Sequence, residues 1–187
     1  MLKCLFFALF VLLVMFLVPQ GANLFRSAKA ATRYKCVLLT VYVGGILWLT
    51  LLNRWNLNVS SLRFKPFYTW KQLLNCWFGF QKISQATCRA IFRNSSNLWE
   101  STHATPIEDV LLNIVLYMPL GFFLPYIWPK LNFWKTLLIS LMFSSAIEIT
   151  QYLAHWGCCD LDDIFNNLLG ACLGYVFFLI CRRFSTR

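Results

Sequence analysis

Ser144 to Gly174 reads SSAIEITQYLAHWGCCDLDDIFNNLLGACLG, and the placing of its polar residues decides how the chain folds. Glu148 and Gln151 sit inside an apolar stretch, Asp160, Asp162 and Asp163 follow it, and Asn166 and Asn167 open the next apolar block. An ionisable side chain at the centre of a membrane helix costs about 2.5–3.5 kcal/mol on insertion scales. Residues retained at that cost are the first candidates for a functional site.

The rest of the chain supplies the membrane setting. Its 187 residues are 59% hydrophobic and 18% aromatic, and only 13% are charged, against about 25% in soluble domains. Mean hydropathy is +0.59. The apolar residues are gathered into blocks, so lipid is the solvent for much of the chain. The net charge of +10 matches the Lys/Arg bias of membrane loops facing anionic headgroups rather than a nucleic-acid footprint. None of the eight cysteines forms a CxxC pair, so no zinc or disulfide framework is implied.

Five blocks have the length and character of spans: about 4–18, 36–52, 110–128, 133–153 and 164–181. Backbone in hydrocarbon must satisfy its own hydrogen bonds, which makes helices of them. The expected fold is all-α, a polytopic bundle of about five transmembrane helices with one amphipathic segment in the interface. Residues 1–35 form an added span and loop, 36–181 the main membrane domain, and 182–187 a basic tail. The first block is expected to stay as a span, because Ala28-Lys29-Ala30 lies too far beyond it for usual signal cleavage. Nine basic residues (Arg26, Lys29, Arg33, Lys35, Lys130, Lys135, Arg182, Arg183 and Arg187) share one side of such a bundle without an acid. By the positive-inside rule the C-terminus is cytoplasmic, while the N-terminus and the 154–163 loop face out.

The segment 53–109 mixes ten aromatics with Lys and Arg, and within it KISQATCRAIFR (82–93) has the pattern of a helix lying among headgroups. Thr105, Pro106 and Glu108 mark the start of the next helix as a capping box. Asn113, Tyr117 and Gly121 then share one face, and Pro119 and Pro125 each remove a backbone donor.

Ser144, Glu148, Gln151 and His155 form a stripe at i, i+4, i+7 and i+11. Asp160 and Asp163 share a face with Asn167, Gly170 and Gly174 on the following helix. The two glycines are spaced for close approach, and packing that face on the preceding span would bring Asp163 and Asn167 to Glu148 and Gln151. Carboxylates, amides and an imidazole so gathered could bind a ligand or a cation, or move a proton; Glu148 could equally be protonated and hold helices together.

These landmarks resemble the VanZ-like family, with Lys65-Pro66-Phe67, Asn113 with Pro119-Leu120-Gly121, Glu148 with Gln151, then Asp160, Asp163, Asn167, Gly170 and Gly174 in order. Two positions depart: Arg63 stands where the pattern often has Asn, and Gly157 where it often has Arg. The resemblance implies a bacterial cell-membrane protein associated with resistance to teicoplanin, a lipoglycopeptide. Its partners would be the bilayer and a lipid-linked wall precursor or lipoglycopeptide, held by Asn113, Glu148, Gln151, His155, Asp160, Asp163 and Asn167. Gly121, Gly170 and Gly174 would serve helix packing. An enzyme acting on a lipid headgroup, with Glu148, Asp160 or Asp163 in catalysis, and a non-catalytic partner of another membrane protein are the alternatives. No serine-nucleophile motif, phosphate loop or His-rich metal motif is present, so no cofactor or resident metal is expected.

Overall fold

The computed structural model describes residues 11, 15, 21, 24–25, 27–52, 59–63, 66–71, 74 and 106–185. In chain order these form α1 (Ala28–Thr50), β1 (Val59–Arg63), α2 (Pro106–Ile127), α3 (Phe133–Leu153), β2 (Trp156–Asp160) and α4 (Leu161–Ser185). The amphipathic segment expected at 82–93 lies outside the described residues.

Two expectations about the architecture are corrected. First, the fold is mostly helical but not all-α. β1 and β2 pair in parallel, from Val59 opposite Trp156 to Arg63 opposite Asp160. This pairing gives backbone partners to the residues between α3 and α4, which the sequence reading left as a loop. Second, three helices rather than five are long and apolar enough to cross a membrane among the described residues: Ile107–Ile127, Phe133–Leu153 and Leu161–Arg183. The block at 36–52 is part of α1, but α1 starts in the basic stretch with Lys29, Arg33 and Lys35, which dilutes its apolar character. Of the block at 4–18, Val11 and Met15 are helical and buried against Phe122, Phe123 and Phe178; its other residues lie outside the described set.

α2 begins at Pro106 with Glu108 and Asp109 in its first turn and runs through Pro119 and Pro125. Acidic residues there complement the positive end of the helix dipole. α3 is capped by the Asn132 side chain, which accepts from the Lys135 N–H at 3.0 Å. Its buried face is Thr136, Ser140, Ser144, Ile147, Glu148 and Gln151, while Trp134, Leu138, Met142, Ile149 and Leu153 point outward. Polar residues inward and large apolar ones outward is the arrangement lipid selects.

The closest helix pairing is α2 on α4. A Cβ at Gly121 would collide with the Ala171 carbonyl, one at Gly170 with that of Ile114, and one at Gly174 with that of Met118. The glycine face therefore lies against α2, not against α3 as the sequence reading placed it. Close backbone contact leaves the polar first turns of α4 wedged between α2 and α3.

Candidate functional site

The site is assembled from three helices and β2. From α3 come Ser144 and Glu148, both buried. The chain turns back after α3, and the Asp160 N–H donates to Glu148 Oε2 at 3.1 Å. The Asp162 N–H in turn donates to Asp160 Oδ1 at 3.0 Å. From α2, Asn113 Nδ2 donates to Asp163 Oδ1 at 2.6 Å. Between the two long helices, Asn167 Nδ2 donates to Ser144 Oγ at 2.8 Å. Glu148, Asp160, Asp163, Asn113 and Asn167 are thus drawn into one polar cluster, called the polar pocket below, at the end of the bundle where β2 joins α4.

The carboxylates also share an electrostatic field. Cys159, at the penultimate position of β2, has its thiol pushed above the ordinary range, first by burial and then by the charges of Glu148, Asp160 and Asp163.

Two of the expected residues sit elsewhere. Gln151 is buried, but its Nε2 donates to the Thr50 carbonyl at 2.8 Å, so it ties α3 to the end of α1. His155 does not continue the stripe. α3 ends at Leu153, and His155 takes a left-handed backbone (φ 60) with its side chain exposed. The helical spacing that placed it fails because the helix has already stopped.

Other residues enter the site that were not among the expected ligands. Tyr117, 1% exposed on α2, brings its hydroxyl beside Ser144 and within electrostatic reach of Glu148 and Asp163. Its signal was available, since it lies one turn from Asn113 on the same face. Asp162 is 2% exposed, and its two oxygens accept the backbone N–H groups of Phe67 and, at 2.8 Å, Thr69. Asn166 Oδ1 accepts from Trp70 Nε1 at 2.8 Å, and the Phe67 and Phe165 rings stack at 4.7 Å. These four contacts hold 66–71 against α4. No local pattern announces them, because they join positions more than ninety residues apart.

A groove of about 720 Å³ opens beside this clamp, walled by Phe67, Trp70, Phe165 and Leu169, with Lys71 and Asn166 as its polar residues. Asn166 faces this groove while its neighbour Asn167 serves the pocket. An apolar groove and a buried polar pocket therefore adjoin across α4.

Among the described residues, three helices long and apolar enough to cross a membrane, with polar side chains gathered between them, define the class as a membrane protein. The VanZ/LLP1 family model matches residues 4–182, and the chain belongs to that family. It is also similar to Protein VanZ of Enterococcus faecium, 26% identical over 82 residues, which cover 44% of this chain and 51% of the relative. The chain thus aligns with about half the length of that curated relative. No solved structure matches.

Proposed function

We propose that this membrane protein acts at the cell envelope by engaging an amphiphilic ligand, a lipid-linked wall component or a lipoglycopeptide such as teicoplanin, and so contributes to glycopeptide resistance. The observation that carries the reading is the adjoining of the apolar groove and the carboxylate pocket through Asn166 and Asn167. A lipid tail suits the groove, and a polar, hydrogen-bonding head suits the pocket. The likeness to VanZ supports the drug class. In this reading the pocket end faces out and the C-terminus lies in the cytoplasm, following the basic side of the bundle.

A second reading is a membrane enzyme acting on a lipid headgroup. It is favoured by the placing of the Tyr117 hydroxyl within reach of Glu148 and Asp163, groups able to donate and accept protons. The experiment is a pair of strains with and without the chain, compared for susceptibility to teicoplanin and vancomycin and for lipid-linked wall precursors. A rise in teicoplanin tolerance with precursors unchanged supports ligand engagement. A precursor that changes chemically with the chain supports the enzyme. No change in either leaves a partner role for the bundle.

A further inference from the structure

Two buried oxygens in the polar pocket lack hydrogen-bond partners: the Tyr117 hydroxyl, on a residue 1% exposed, and Asn167 Oδ1, on a residue 5% exposed. Tyr117 approaches Ser144 without closing a well-formed hydrogen bond. The Asn167 amide spends its nitrogen on Ser144 Oγ and leaves its carbonyl oxygen unused. An unsatisfied buried polar atom carries its full desolvation cost, and two on facing helices around one serine call for a shared occupant. Tyr117 also lies within electrostatic reach of Glu148 and Asp163, and a neighbouring carboxylate favours a positive occupant.

We propose that the Tyr117 hydroxyl, Ser144 Oγ and Asn167 Oδ1, beside Glu148 and Asp163, form a binding site for a small monovalent cation of sodium's class. The donor set is oxygen throughout, which suits a hard cation and not a transition metal. Among the described residues no three His, Cys, Asp or Glu side chains gather to hold a metal. The three proposed ligand oxygens are all neutral, which suits a singly charged ion better than a divalent one. The ion would hold α2, α3 and α4 together at one point, since its ligands come from all three. The inference goes beyond the ligand reading while sharing its polar pocket, and its test needs no lipid or drug.

The test uses the purified full-length protein in detergent, with thermal unfolding followed in sodium, potassium or choline chloride at constant ionic strength. The expected result is a midpoint that rises with sodium relative to choline, by about 3–5 °C per tenfold once the site is filling. Potassium matching sodium supports the same site. Tyr117→Phe keeps the ring and removes only the unpartnered oxygen, and it should weaken the sodium response. Glu148→Gln should weaken it further. Equal midpoints in all three chlorides would mean that a buried water occupies the site and would overturn the proposal. A full sodium response retained in both variants would overturn it as well.

Discussion

Asn113 Nδ2 donates to Asp163 Oδ1 at 2.6 Å across a separation of 50 residues, fixing the polar end of α2 to the first turn of α4. Further along the same pair of helices, Gly121, Gly170 and Gly174 bring the two backbones together. One helix pairing thus combines a hydrogen bond at the site with close packing behind it, so the packing sets how the pocket is spaced.

Gly174→Ala should separate α2 from α4, because the new methyl meets the Met118 carbonyl, a backbone atom that cannot rotate away. A loss of about 1–3 kcal/mol or more is expected. Gly44→Ala in α1 has nothing within 4 Å of its new methyl and should be neutral or stabilising by about 0.5–1 kcal/mol. Thermal midpoints of the two variants in one detergent check the contrast. Equal destabilisation would remove the close α2–α4 contact from the account.

Asp162→Ala should release the 66–71 segment, since both oxygens of the lost carboxylate accept backbone N–H groups there. Removing the acceptor leaves Phe67 and Thr69 amides short of partners, at about 1–3 kcal/mol. Hydrogen exchange should quicken at those two amides while α2 and α3 keep their protection. Unchanged exchange at Phe67 and Thr69 would show that Asp162 does not hold the segment.

The thiol of Cys159 reports on the pocket's charge. Burial first, and neighbouring negative charge after it, disfavour the thiolate, so its alkylation profile should lie at higher pH than that of an ordinary cysteine. Glu148→Gln removes one of the named charges and should move the profile towards lower pH, raising the rate at a fixed pH of 8. Alkylation rates at Cys159 with the other cysteines replaced provide the measurement. A profile that Glu148→Gln leaves in place would separate Glu148 from Cys159.

Orientation is open to direct labelling. With His155 replaced by the single cysteine, an impermeant maleimide should label intact cells; with Lys130 replaced instead, it should not. His155 is exposed next to the pocket end, and Lys130 sits in the turn at the other end of α3. The reverse pattern would invert the topology.

Much of the site was legible because its residues violate what lipid tolerates. Glu148, Asp160, Asp163 and Asn167 stand out in apolar surroundings, and helical spacing is enough to put Ser144 and Glu148 on one face. Spacing misled at His155, where α3 stops and the backbone turns left-handed. It also could not show which helix the glycines meet, since Gly170 and Gly174 are equally compatible with either neighbour until the bundle is assembled. The β1–β2 pairing was invisible for a different reason. VSSLR and WGCCD are five residues each, without clean alternation, and their pairing depends on contacts remote in sequence. Asp162 stood out only as one of three carboxylates after the apolar stretch; its partners, Phe67 and Thr69, lie more than ninety residues earlier in the chain.

The central claim is that the carboxylate pocket serves function and not only cohesion, and Glu148→Gln tests it most directly. Glutamine keeps the shape and an acceptor for the Asp160 N–H but removes the charge. In a strain carrying the variant at wild-type protein level and near wild-type thermal stability, teicoplanin tolerance should fall to that of the strain without the chain. Full tolerance in Glu148→Gln at equal protein level would contradict the account and leave Glu148 as a hydrogen-bonded link between α3 and the start of α4.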